Sequence, residues 1–167
     1  TKNQALASHY LSDSKEYRKY TTEQKKALTE QQKIQSQKVA WIQKEISTNK
    51  SLNSAQKAQL KEELKQAKID LINFQEEVRE LQGQLIQSKV DETLNKIEKS
   101  SKKTESKLKD VDNKIQMTVE DEDKVKYYSQ QVKLIQQQQT EAKKYIKQLE
   151  AQKKAAKGFP EIQKQIT

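Results

Sequence analysis

Few residues in this chain could carry out chemistry. It has one histidine, His9, and no cysteine. A His/Cys metal site, a Ser-His-Asp arrangement and a zinc-binding His-Glu-x-x-His helix each need more than that. His9 therefore reads as a residue near a helix terminus rather than a ligand. Two glycines, Gly83 and Gly158, cannot build a phosphate-cradling loop, and no dinucleotide fingerprint occurs. Carboxylate pairs such as Glu62-Glu63 and Glu76-Glu77 are common. General acid–base work needs a carboxyl whose pKa is moved by burial or neighbours, and an exposed helix provides neither. The acidic run Glu120-Asp121-Glu122-Asp123 lacks the ligand spacing, central glycine and terminal bidentate glutamate of a calcium loop. It reads instead as the first turn of a helix, where the macrodipole favours negative charge. The residue types thus predict a protein that is not an enzyme and that holds no cofactor or metal.

Binding is better represented than catalysis. Lys143, Lys144, Lys147, Lys153, Lys154 and Lys157 surround a single acid, Glu150. Such a cluster suits phosphates or another anionic polymer, through contacts that weaken with salt. It contains no arginine, the residue that reads bases and carboxylates bidentately, so sequence-specific nucleic-acid recognition is not expected. The glutamines around Gln136–Gln139 read as ordinary helix surface. The net charge of +9 is uneven: residues 1–50 carry +5, residues 51–100 carry −1 and residues 101–167 carry +5. Basic flanks around a near-neutral centre are consistent with an anionic partner or with lysine-rich solvation.

The elements that must position these residues are helices. The chain of 167 residues is 34% charged and 32% hydrophobic, with two Gly and one Pro. That is too little apolar mass for an ordinary globule, which leaves disorder or long helices sharing a narrow seam. Strong periodicity decides for helices. Leu60, Leu64, Ala67, Leu71, Phe74, Val78, Leu81 and Leu85 follow the four-three spacing of a coiled coil. Gly83 and a change of phase between Leu85 and Val90 resemble a stutter. The seam then resumes as Val90, Leu94, Ile97, Ser101, Thr104, Leu108, Val111, Ile115 and Thr118.

The expected architecture is all-α: an elongated antiparallel bundle or coiled coil of three long helices in one domain, 1–167. The alternative is a four-helix bundle with a break near Ser101. The first helix should span about 5–46, the second about 54–117 and the third about 122–157, followed by a loose tail over 158–167. Asn53 with Gln56 forms a candidate capping box, and Thr118 with Asp121 a weaker one. Folding the first hairpin brings Trp41 to Leu60, Ile34 to Ala67, Ala27 to Phe74 and Tyr20 to Leu81. A second set on the same helix, Leu28, Val39, Ile42 and Ile46, drifts round it. Folding the second hairpin brings Val111 to Val125, Leu108 to Tyr128, Leu94 to Ala142 and Val90 to Ile146. Tyr10, Tyr17 and Tyr145 are expected to fill a wider three-helix section. Polar seam positions such as Gln24, Gln31, Lys38 and Gln139 leave homo-oligomers open.

Residues 43–77, from Gln43 through the turn to Glu77, resemble the helical arms of the OmpH/Skp family of basic periplasmic chaperones. The resemblance implies long antiparallel hairpins that hold unfolded outer-membrane proteins, and a small β-strand body at the chain ends. This sequence shows no strand-like alternation at either end. A chain beginning at Thr1, with no apolar run near twenty residues, reads as a processed exported protein or an excised piece. The functional expectation is a helical structural or interaction module. It would be secreted or attached to the cell envelope and would bind a protein or an anionic polymer through long helical faces. The alternative is a holdase-type chaperone or assembly scaffold.

Overall fold

The computed structural model describes residues 11–12 and 14–167, and four α-helices account for most of these described residues. They are α1 (Lys15–Thr48), α2 (Ser54–Met117), α3 (Asp121–Ala155) and the short α4 (Pro160–Gln165), and no strand occurs among the described residues. The three long helices are packed antiparallel. They belong to two compact units, Thr1–Leu85 and Ile86–Thr167. No helix among the described residues is long and apolar enough to cross a membrane.

Local chemistry sets the helix ends. Ser14 caps α1, its Oγ accepting from the Tyr17 N–H at 3.1 Å, which supplies one of the partners the first turn lacks. α1 therefore starts at Lys15, after the non-helical Leu11 and Ser12, and the expected helix start near Ala5 lies outside the described residues. His9, Tyr10 and Asp13 lie outside the described residues. At the first turn the expected capping box is formed. The Gln56 N–H donates to Asn53 Oδ1 at 2.8 Å, and the Asn53 N–H donates to Gln56 Oε1 at 3.0 Å. The second turn differs. Glu120, not Thr118, is the cap of α3 and makes no side-chain cap bond. The Thr118 hydroxyl instead donates back to the Lys114 carbonyl at 2.6 Å. Asp121, Glu122 and Asp123 do occupy the first turn of α3. α2 continues unbroken past Gly83 and through Ser100–Thr104, where the Thr104 hydroxyl donates to the Ser100 carbonyl at 3.0 Å.

In the first unit, α1 packs on the first part of α2. The core consists of Val39, Ile42 and Ala67, flanked by Ile46, Leu60, Leu64 and Leu71. Leu81 is also buried, while Phe74, Val78 and Leu85 are half-buried. Gln35 Nε2 donates to the Ala67 carbonyl at 3.0 Å, and the Tyr17 hydroxyl donates to Gln84 Oε1 at 3.4 Å, fixing the antiparallel register. The face of α1 differs from the expected one: Trp41 is 60% and Ile34 64% exposed, whereas Ile42 is 1% exposed. The seam of α1 runs through Thr21, Lys25, Leu28, Gln32, Gln35, Val39, Ile42 and Ile46, all at least half-buried. That series keeps four-three spacing as faithfully as the one through Trp41. The Thr21 hydroxyl donates to the Tyr17 carbonyl, Lys25 bonds Gln82 of α2 and Gln35 bonds the Ala67 carbonyl, which satisfies these side chains as they enter the seam.

The second unit shows the same rotation. On α2, Thr93 is buried and Leu94 is 37% exposed. On α3, Tyr127, Gln131, Leu134, Gln138 and Tyr145 are half-buried. Val125, Tyr128 and Ile146, expected to face α2, are 68%, 53% and 54% exposed, and Val132 and Ile135 on the same stripe are 53% and 45% exposed. The layers Val111–Val125, Leu108–Tyr128 and Val90–Ile146 are therefore not the intramolecular ones. Polar bonds hold the actual register. Gln131 Nε2 donates to Asp112 Oδ1 at 2.8 Å, Gln152 Nε2 donates to Thr93 Oγ1 at 2.8 Å, and the Ser100 hydroxyl bonds Glu141.

The expected loose tail is instead an ordered helix. Gly158 adopts φ +94°, the left-handed conformation that reverses the chain after α3, and Pro160 opens α4. Ile162 joins Ile86, Val90 and Ala156 in a buried cluster, with Phe159 and Ile166 packed against it. Val90, fully buried, is thus covered from the chain end and not by Ile146.

Candidate interaction surfaces

The six lysines of the basic cluster, Lys143, Lys144, Lys147, Lys153, Lys154 and Lys157, are all exposed. Lys153 and Lys154 lie in the last turn of α3, where the helix dipole favours cations. Lys143, Lys147 and Lys154 recur at helical spacing on one side, together with Glu150. α4 closes over the end of this cluster: Lys153 Nζ donates to Thr167 Oγ1 at 3.1 Å, and Gln163 Nε2 donates to the Lys153 carbonyl at 3.2 Å. The arrangement is a solvated positive end able to meet several phosphate or carboxylate groups at once.

Exposed apolar residues form the second kind of surface. On α1, Ile34 and Trp41 stand seven residues apart on one face, with exposed Ala27 a further seven before. On α2, Ile69 and Ile72 are 43% and 54% exposed. On α3, the exposed stripe from Val125 to Ile146 keeps four-three spacing throughout. The apolar residues of that stripe were legible in the sequence, and the structure changes only what they face.

Sequence reasoning did not find the buried polar residues. Thr21, Ser88 and Thr93 are buried, and small polar side chains give no hydropathy signal. The Thr21 hydroxyl donates to the Tyr17 carbonyl at 2.8 Å and the Thr93 hydroxyl to the Lys89 carbonyl at 3.0 Å. Gln152 Nε2 reaches Thr93, while Gln152 Oε1 is buried with no protein partner. A shallow groove of about 360 Å³ runs along the second unit beside Lys107, Asp110, Lys114, Lys133 and Leu134. Among the described residues, no three His, Cys, Asp or Glu side chains gather closely enough to hold a metal ion.

One ion pair moves its members' titration. The Lys102 ammonium, 2.6 Å from Glu98, donates a hydrogen bond that holds this carboxyl below its ordinary 4.5. The same bond raises Lys102 above its ordinary 10.5. The depressed Glu98 value means that its share of the stabilisation is present above the carboxylate range and lost as pH falls through it. The Lys102 share is present below 10.5 and lost in stronger alkali. Both groups are solvent-exposed, so the pair is a helix-surface feature of small weight.

No protein-family model matches this chain, and no solved structure matches it.

Proposed function

We propose that this chain is a non-catalytic helical interaction module of the cell surface or envelope, which binds a macromolecular partner through exposed helical faces. The observation that carries this reading is Trp41. A tryptophan is a rigid, large apolar surface with one polar handle, the type that anchors protein interfaces. Here it stands 60% exposed beside Ile34 on α1, while its neighbour Ile42 forms the core. A fold that needed Trp41 for its own stability would have turned it inward. The lysines at the end of α3 supply a positive surface that steers an acidic partner toward the chain.

A second reading, a holdase-type chaperone or assembly scaffold, draws support from apolar side chains exposed on α1, α2 and α3 among many lysines. Unfolded clients bind such mixed surfaces weakly and at many places.

One experiment separates the two. The chain is used as bait on a native cell-envelope extract, in parallel with a variant carrying Trp41→Ala and Ile34→Ala. A reduced, alkylated unfolded protein serves as competitor. The module reading expects one defined partner, lost in the variant, whose binding shifts the emission of the single tryptophan. Many captured chains displaced by the unfolded competitor would establish the holdase reading instead. Capture indifferent to both the substitutions and the competitor would refute both.

A further inference from the structure

We propose that the outer face of α3 is a self-association seam that takes α3 of a second copy of this chain, antiparallel. The inference goes beyond the partner-binding reading and does not depend on it, since Trp41 belongs to the other unit. Its starting point is that α3 carries two stripes at four-three spacing. The stripe through Tyr127, Gln131, Leu134 and Gln138 is half-buried against α2. The stripe through Val125, Tyr128, Val132, Ile135 and Ile146 is more apolar and remains 45–68% exposed. Sustained heptad spacing matches a helix to another helix along its length, because it keeps one stripe facing a supercoiled partner. Within its unit, the outer stripe has no such partner. It is therefore an exposed apolar patch of the kind that marks an association site.

Charge decides both the occupant and its direction. The start of α3 is acidic (Asp121, Glu122, Asp123), and its end is basic (Lys143, Lys144, Lys147, Lys153, Lys154). A parallel second copy would set acids on acids and lysines on lysines. An antiparallel copy sets each acidic start on a basic end, and a two-fold axis does so twice. The register follows from the side chains. Opposing residues whose numbers sum to 274 places Asp121 against Lys153, Val125 against the half-buried Leu149 and Tyr128 against Ile146. Val132 then meets Ala142, and Ile135 meets Gln139. The seam is mostly apolar, sets large beside small where Val132 meets Ala142, carries the polar Gln139 at its centre, and is closed at both ends by an opposite-charge pair. Moving it by one heptad, to a sum of 267, would bury Ile146 against Asp121. Glu122 and Glu150 do not oppose one another in this register; they are flanking like charges on its solvent edge.

The absence of cysteine makes the test clean. Two full-length variants are prepared, Tyr128→Cys and Ile146→Cys, both at exposed positions whose substitution leaves the core intact. In the antiparallel dimer each position faces the other, while identical positions stand about 27 Å apart along the axis, too far for a disulfide. Under mild oxidation, the mixture should give at least about tenfold more linked dimer than either variant alone. Sedimentation equilibrium of the wild-type chain should show a dimer at concentrations up to about 100 μM. Val132→Asp with Ile135→Asp should return it to monomer with unchanged helicity. Each variant linking chiefly to itself would overturn the antiparallel arrangement. A monomeric wild type, or a dimer that survives the two aspartates, would overturn the seam. So would a stripe covered only when another protein is added.

Discussion

Ile42 and Trp41 are adjacent in the chain and opposite in environment, one 1% and the other 60% exposed. Their energetics should be as different. Ile42→Ala empties space in a core of few residues and should cost about 2–5 kcal/mol. Trp41→Ala removes only surface contacts and should stay within about 0.5 kcal/mol. Urea unfolding of the two variants measures this directly, and the reverse order would mean that α1 presents its other face to α2. The buried set Val39, Ile42 and Ile46 was visible in the sequence as a second stripe. It was outweighed because the alternative carries the tryptophan, and because Thr21, Gln32 and Gln35 interrupt the true seam with polar side chains. Residue hydropathy ranks stripes by apolar content, whereas packing accepts a glutamine whose amide reaches a backbone carbonyl. The lysine cluster and the exposed apolar residues of α3 were both legible, since composition and spacing alone identify them.

At the scale of elements, the first turn and the end of α3 agree with the sequence, whereas the expected Thr118–Asp121 cap does not form. The Asn53–Gln56 capping box needs only four residues and forms. Gly158 ends the region after α3 because φ +94° is the left-handed conformation that glycine adopts without a Cβ penalty. Nothing lies within 4 Å of where its Cβ would be, so substitution there tests conformation and not crowding. Gly158→Ala should destabilise the chain by about 1–2 kcal/mol, and Gly158→Asn by less, because asparagine tolerates this conformation better. Equilibrium denaturation of the pair checks it, and an Ala variant as stable as the wild type would show that the turn does not require the left-handed conformation. The ordered α4 escaped the sequence reading for a different reason. Six residues, Pro160–Gln165, are too few to form a stable helix by themselves. Ile162 holds them in place by joining Ile86, Val90 and Ala156. That stabilisation is tertiary, and no local pattern announces it.

At the scale of the whole molecule, composition and charge govern behaviour. A net charge of +9 with six exposed lysines at the end of α3 should attract polyanions without base-type specificity. Affinity for a polyphosphate chain should fall at least about tenfold between 50 and 200 mM salt, through loss of counterion release. Lys143→Gln, Lys144→Gln and Lys147→Gln together should flatten that salt slope, as read by titration at several ionic strengths. A salt-independent affinity would remove the cluster from the binding surface. The sequence by itself determined the all-α class, the three long helices and their turns. Glycine and proline scarcity, heptad spacing and local caps act within a few residues. Tertiary structure alone decided which of two stripes each helix buries. On α3 both stripes satisfy the same spacing, and a helix cannot choose between them until it meets its partner. In the fold, Gln131, Gln152 and Glu141 fix that meeting with hydrogen bonds to α2, and the more apolar stripe of α3 is left facing outward.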